Sequence, residues 1–485
     1  MNPNIELAEN LEISRIITGL WQIADMERDG NTLNPVTTSK YMQAYIDSGF
    51  TSFDMADHYG SSEIIAGTFK NSLSDKGKVQ LFTKWVPKPG KITRLDVRNA
   101  IQTALDRMQQ TSIDLLQFHA WYYPDPSWLD GLFYLNELKE EGLIQHLGVT
   151  NFDAAHLRIA CASGIPIVSN QVCHSVIDQR ATLQMKKVCD TYDVKLLAFG
   201  TLAGGFLTDK WVGKPEPSNS EIQTWSQMKY KRFIDAAGGW DVFQQLLQTL
   251  KQVAKKHQVS LANIAGRFIL ENPNVAAIIV GARLGESEHI EDNKKLLEID
   301  LQAEDLELIQ EAQNQLTPIP GDCGDEYRKP PFLTASGDLS DHLETIPKAF
   351  TPIQKTTQRT QIFSGTEWEE YAGYCRAVKD GNRVYISGTT STHGPDQIGG
   401  HDPAAQTHFV IDKIEGVITS FGGTLEDVVR TRIFVNDIKD WEPVARAHGE
   451  RFKGINPANT LVEAKLVGEG YLVEIEAEAI ISSTD

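Results

Sequence analysis

Between residues 13 and 316 short apolar runs alternate with amphipathic stretches of helical period, and this rhythm restricts the fold more than any other feature of the chain. The apolar runs lie at 16–21, 51–55, 80–84, 115–119, 146–150, 167–171, 195–199 and 276–281, which makes eight. Helical stretches lie between them, among them 95–108, 132–141 and 243–257. In the last, Phe243, Leu246, Leu247, Leu250, Val253 and Ala254 recur every three to four residues and so share one helix face. Eight such alternations predict a closed (β/α)8 TIM barrel. A doubly wound sheet is the competing architecture. It would want G-x-G-x-x-G after the first strand, where this chain has Thr18-Gly19-Leu20-Trp21.

At 485 residues the chain exceeds what one hydrophobic core supports, and the rhythm stops after residue 317. Pro318, Pro320, Pro330, Pro331, Pro347 and Pro352 follow, and proline blocks helix propagation and removes backbone donors. Residues 318–366 are therefore expected to be a Pro-rich linker, laid in part over the barrel, between domains at 1–317 and 367–485. The second domain carries strand runs at 383–388, 429–435, 459–465 and 471–481, with helical runs at 404–420 and 441–452. It reads as a small α+β unit.

The 46 basic and 65 acidic residues leave a net charge of −19, which repels phosphate backbones and anionic membrane surfaces. No nucleic-acid or membrane partner is expected. Five cysteines without C-x-x-C spacing argue for reduced thiols and against a disulfide framework or zinc site. The first residues lack a signal peptide's basic and apolar regions, and no apolar run approaches the ~20 residues that span a bilayer. A cytoplasmic location is expected.

Asp54, Lys84 and His119 each end an apolar run, and Tyr59 follows the first of them by five residues. In a barrel the strand C-termini converge on one mouth, so these four side chains should meet there. A phenol with a reference pKa near 10 is a poor acid at neutral pH. A buried ammonium beside it, held by a carboxylate, is expected to lower that pKa and ready the proton. Alone, each residue would be a packed or solvated side chain. The four types, their order and the surrounding words resemble the aldo-keto reductase tetrad. That resemblance implies Tyr59 as general acid for a carbonyl oxygen, Lys84 and Asp54 as its tuning pair, and His119 as the group that orients or polarises the substrate. A Schiff-base lysine at 84 would leave Tyr59 unexplained.

Further words resemble the same family's cofactor site. Gly148-Val-Thr-Asn-Phe152 and Asn170-Gln171 imply Thr150, Asn151 and Gln171 around a nicotinamide carboxamide, since an amide side chain both donates and accepts. Thr150-Asn151 also reads as a helix N-cap. The stretch 196–208 implies Phe199 stacked on the nicotinamide, Gly204 and Gly205 beside the pyrophosphate, and Gly200 and Leu202 as further cofactor-binding residues. Ile279-Val-Gly-Ala-Arg283 and Ile290-Glu-Asp-Asn293 imply Gly281 and Arg283 on phosphates and Asn293 on adenine. The guanidinium fork of Arg283 suits a 2′-phosphate and favours NADPH over NADH. Trp21, Trp85 and Trp121 are expected to give the pocket aromatic walls, suited to a small-molecule aldehyde or ketone.

The words Gly373-Tyr-Cys-Arg-Ala-Val, Val384-Tyr-Ile-Ser-Gly388, 429–437 and Val473-Glu-Ile-Glu-Ala477 resemble the Rid/YjgF family. That resemblance implies a chorismate-mutase-like fold and trimeric assembly. Its deaminating members carry an arginine after Pro-Ala, whereas this chain has Asn456-Pro-Ala-Asn459, although Glu474 remains. Asparagine supplies neither charge nor fork. The expectation is an NADPH-dependent carbonyl reductase fused to a Rid-like domain used for homo-oligomerisation or ligand binding. A bifunctional reductase and imine deaminase, or a regulatory cofactor-binding protein, are the alternatives.

Overall fold

The computed structural model describes residues 1–482 apart from Asp29, Ser287, Ser336 and 343–346. Eight parallel strands close a barrel: β1 (Ile16–Gly19), β2 (Ser52–Asp54), β3 (Gln80–Trp85), β4 (Ile113–Phe118), β5 (Ile144–Thr150), β6 (Ile167–Cys173), β7 (Lys195–Phe199) and β8 (Val275–Gly281). They pair in sequence order all the way round, with β8 closing on β1. Every expected apolar run is one of these strands. The outer helices follow the expected pattern; in helix Trp240–His257 the six apolar positions listed above are buried.

Side chains alternate across a strand, so residues two apart point to the same side. At one level the barrel interior is apolar, filled by Ile17, Phe82, Leu115, Leu197 and Ala277. One step toward the C-terminal end, the same strands present Lys84 and Gln117, two residues beyond Phe82 and Leu115. The interior therefore turns from an apolar plug into a polar layer within two residues. An antiparallel hairpin, Asn4–Ala8 with Leu11–Ser14, adds Leu7, Leu11 and Ile13 to the plug. Its turn holds Asn10 at φ 63°, a left-handed conformation that asparagine tolerates.

The second domain is a seven-stranded mixed sheet. Its strands are β9 (Ile353–Gln354), β10 (Arg359–Ile362), β11 (Ala377–Asp380), β12 (Arg383–Thr389), β13 (Val428–Val435), β14 (Ala458–Glu463) and β15 (Val473–Ile480), in the order β9-β10-β11-β12-β15-β13-β14. Helices Pro403–Ser420 and Trp441–Phe452 accompany the sheet; Val410, Ile414 and Val417 of the first and Val444 and Phe452 of the second share a core with Ile433, Ile475 and Ala477. Strand β15 shows why: Val473, Ile475, Ala477 and Ala479 are buried, and the alternating glutamates are half-buried.

Here the structure departs from the expected linker. Residues 353–362 supply the edge strand β9, which Pro352 precedes without breaking a ladder, and β10 beside it. Ile319, Cys323 and Leu333 are buried, and a short helix, Asp325–Arg328, packs over the barrel. Helix Pro403–Ser420 also meets barrel helix Ala154–Ala162, and cross-domain bonds include Arg158 to Asp402 at 2.7 Å and Tyr122 to Thr419 at 3.1 Å.

Among the described residues the five cysteines are unpaired, no metal-ligand cluster occurs, and no helix is long and apolar enough to cross a membrane.

Candidate active site

The polar layer meets the mouth of the barrel around one carboxylate. Asp54, the last residue of β2, accepts Lys84 Nζ at 2.6 Å on Oδ2. Its Oδ1 accepts the side-chain amides of Gln117 at 2.9 Å and Gln171 at 2.7 Å. Gln171 also donates to Gln117 at 2.8 Å. Lys84 gives a second bond to the Met55 carbonyl at 2.8 Å. Both charges are buried, and such a pair persists only where its remaining lone pairs and protons are satisfied. The two glutamines and the Met55 carbonyl do this. Gln117 was not singled out from the sequence; the signal was a polar residue at the alternate position between Leu115 and His119.

Tyr59 lies over this pair, with Lys84 Nζ 5.4 Å from the ring centre. Trp21 meets it edge-on at 4.9 Å, and its own indole is fixed by a 2.7 Å bond to Glu27. The expected acidification does not follow. Burial raises the phenol pKa well above its ordinary value, and Asp54, Tyr327, Asp57 and Glu27 add to the rise. Tyr59 is held protonated, the state a proton donor needs.

His119 follows β4 and brings its Nδ1 within 3.3 Å of the Thr150 carbonyl, which can only accept, so Nδ1 carries a proton. Trp121 stands edge-on to that ring at 4.3 Å. Trp85 is not a wall of this site. One residue beyond Lys84 on β3 it points to the other side, into the layer outside the strands, against Phe118 at 5.5 Å. The single-residue step reverses the side.

The residues expected around a nicotinamide cofactor divide into three groups. Thr150 donates to the Gln171 carbonyl at 3.1 Å, and Asn151 adopts φ 59°. Asn151 Oδ1 is buried without a hydrogen-bond partner, as an atom awaiting a carboxamide N–H would be. Gln171 has its amide nitrogen committed to Asp54 and Gln117, which leaves its oxygen for a ligand. The helix after this loop is capped by Asp153, not by Thr150 or Asn151. Phe199 ends β7, with Gly200, Leu202 and Gly204 in the loop beyond it. Gly204 has φ 62°, and an added Cβ would meet the Ser226 carbonyl at 2.9 Å. At Gly200 it would meet the Tyr230 hydroxyl at 2.1 Å. The close approach these glycines permit is thus to helix Trp225–Ala236. Gly281, at the end of β8, lies against Gln22, and Arg283 beyond it is exposed, its charge bearing on Glu27. Asn293 is half-buried on helix Ile290–Glu298. The open acceptor of Asn151 suits a carboxamide N–H and the exposed Arg283 suits a phosphate, the two ends of a nicotinamide dinucleotide.

The connection between the domains also reaches this mouth, which local sequence pattern does not reveal. Arg328 donates to the carbonyls of Asn151 and, at 3.1 Å, Ala120. Gly324 packs so closely that a Cβ would lie 1.9 Å from the Asn151 carbonyl. Tyr327 places its ring 6.1 Å from that of His119.

In the second domain Asn459 donates to Thr431 Oγ1 at 3.0 Å, and Thr431 in turn is 2.9 Å from His448 Nε2. Asn459 and His448 border a cavity of about 300 Å³ with Ile433 and Phe452. Glu474 lies against Gly388, and burial raises its pKa despite the nearby Arg376.

Comparison with known proteins agrees with this two-domain fold. The Aldo/keto reductase family model matches residues 15–314, and the Endoribonuclease L-PSP model matches residues 365–481. Pyridoxal reductase of Arabidopsis thaliana is 29% identical over 268 residues, 51% of this chain and 68% of that protein. An uncharacterised protein of Streptomyces coelicolor is 36% identical over 126 residues, 26% of this chain and 94% of its own length. The structure of a thermostable aldo-keto reductase solved with the inhibitor epalrestat superposes with a TM-score of 0.51 at 24% identity, covering 64% of this chain and 99% of that one.

Proposed function

The chain belongs to the aldo/keto reductase family over residues 15–314, and from that premise we propose that it reduces an aldehyde or ketone to the alcohol with NADPH. The observation that carries this reading is the buried Asp54–Lys84 pair at 2.6 Å beneath a protonated Tyr59 at the barrel mouth. A bound reduced nicotinamide would supply hydride to the carbonyl carbon. Tyr59 gives its proton to the carbonyl oxygen as negative charge develops there. Lys84, fixed by Asp54 and the Met55 carbonyl, supplies positive charge beside the resulting phenolate. His119, anchored through Nδ1, orients the carbonyl. Thr150, Asn151, Gln171 and Phe199 would hold the nicotinamide, and Arg283 would favour a cofactor with a 2′-phosphate over NADH.

The aromatic surroundings of Trp21, Trp121 and Tyr327 suit an aromatic carbonyl, in keeping with the Arabidopsis relative's name. Tyr59→Phe should lower turnover by roughly 10²–10⁴ while NADPH still quenches protein fluorescence. A variant that keeps most of its turnover would overturn the assignment. A screen of aldehydes with NADPH and NADH in parallel tests the cofactor preference.

The second domain is proposed to assemble copies of the chain as a trimer. The sheet face opposite its helices exposes Tyr385 and Val462, apolar surface that a second copy would cover. Light scattering on the full chain should return three chains per particle, and a monomer would refute this.

A further inference from the structure

One charged residue at the mouth has no part in the proton transfer just described. Lys229, on helix Trp225–Ala236, is buried, with its ammonium 4.9 Å from the centre of the Phe199 ring. It donates to Tyr327 Oη at 2.7 Å. Tyr327 in turn stands 6.1 Å from the His119 ring and bears electrostatically on Tyr59. The ammonium and the phenol therefore face the reacting centre from the other side of the mouth, beside the ring expected to carry the nicotinamide.

Lys229 is also short of partners. An ammonium has three donors, and Tyr327 takes one. The nearest carboxylate oxygen, Glu326 Oε1, lies 4.0 Å away, beyond hydrogen-bond reach, while Oε2 of the same group accepts from Arg180 at 2.8 Å. The ring faces of Phe199, Tyr230, Phe233 and Tyr327 supply the rest, which is weaker compensation for a buried cation. Burial opposes the charge, but Tyr327 and Glu326 outweigh it, so the pKa is raised and the cation persists. The turn carrying Tyr327 is fixed on both sides, through Arg180 to Glu326 and through Arg328 to Ala120 and Asn151. A pre-placed cation with donors to spare, next to a phenol, is a ready acceptor for an anion.

We propose that Lys229 and Tyr327 form an anion-recognising subsite, so that the preferred carbonyl substrate carries a carboxylate remote from its reacting carbon. This rests on the carbonyl-reductase reading and adds the substrate class. Tyr327 comes from the connection between the domains, so the subsite is complete only in the full chain.

The test compares kcat/KM for 4-carboxybenzaldehyde and for its methyl ester, which share ring and aldehyde but differ in charge. A hydrogen bond to a charged group corresponds to roughly a 10- to 100-fold effect, so the wild-type enzyme should prefer the acid by about tenfold or more. In Lys229→Met the acid-to-ester ratio should fall by about the same factor. Lys229→Arg should retain the preference, and Tyr327→Phe should lose part of it. Benzoate, which has the acid and no reducible carbonyl, should bind the wild-type protein in calorimetry and not Lys229→Met. A ratio unchanged in both Lys229→Met and Tyr327→Phe would overturn the subsite, whatever happens to the absolute rates. If the wild-type chain reduces neither aldehyde, the reductase reading fails, and the benzoate titration still decides the subsite alone.

Discussion

Replacing His156 with alanine removes one of the charges that join the two domains, and its cost can be worked out from the surroundings. His156 Nδ1 lies 2.6 Å from Asp153 and Nε2 lies 3.0 Å from Asp412 of the second domain. Carboxylates only accept, so both ring nitrogens donate and the ring is an imidazolium. Burial opposes that charge, but Asp153 and Asp412 outweigh it and raise the pKa. The ring also stacks on Tyr123, 3.4 Å between centres and 5° from parallel. Removing one member of a buried ion pair costs about 3–5 kcal/mol. Asp412 keeps Arg451 at 2.6 Å, and Asp153 keeps the backbone N–H of residue 156 at 2.9 Å, so the lower end applies. The lost stack adds about 1 kcal/mol, for a total of about 4 kcal/mol. Urea unfolding followed by fluorescence should show this loss, and the transition should split as the domains uncouple. A double-mutant cycle with Asp412→Asn should return a coupling of about 1–3 kcal/mol. A loss below about 1 kcal/mol with one unchanged transition would refute the charged bridge.

The same bridge has a pH window. The raised His156 pKa makes its contribution complete below the ordinary histidine value and lost as pH rises through the folded-state value. Asp153 and Asp412 are held below the ordinary carboxylate range, so their contribution is present above that range and lost as pH falls. Stability against urea should therefore decline on both flanks of neutrality, and His156→Ala should flatten the alkaline decline. Gly324→Ala forces a side chain at φ 79° into the Asn151 carbonyl, which should cost about 3 kcal/mol in thermal unfolding and raise the KM for NADPH. Asp54→Asn leaves the Lys84 ammonium buried without its partner, so a loss of about 3–5 kcal/mol should accompany the loss of carbonyl reduction, measured by urea melts and cofactor oxidation.

All eight barrel strands were legible because each couples a short apolar run to an amphipathic helix, and that periodicity survives without any tertiary information. Asp54, Lys84 and His119 were legible for the same reason, since a strand end in a barrel is also a position at the mouth. Where reading failed, the cause was one step of alternation or a distant partner. Trp85 follows Lys84 directly, and adjacency in sequence is opposition in a strand. The hairpin at Asn4–Ala8 and Leu11–Ser14 is only half apolar, with Asn10 at its turn as the one local clue. The expected acidification of the phenol runs against burial, which raises the Tyr59 pKa most, and against the Asp54 carboxylate, which adds to the rise.

The connection between the domains was the least legible part. Proline-rich composition marks a stretch that builds no helix of its own, and says nothing of what it touches. Glu326 meets Arg180 across 146 residues, and Arg328 meets Asn151 across 177. A buried charge is tolerated only where a partner waits, so each of these contacts specifies where the connection must lie. It lies on Asn151, one of the residues with an orphaned amide oxygen, and beside His119, the residue expected to orient the carbonyl. Helix Ala154–Ala162, which follows the Asn151 loop, carries His156 into the second domain. The Asn151 loop is therefore held on one side by the connection and on another by the docked domain. Loosening either should change the loop's order before it changes the barrel.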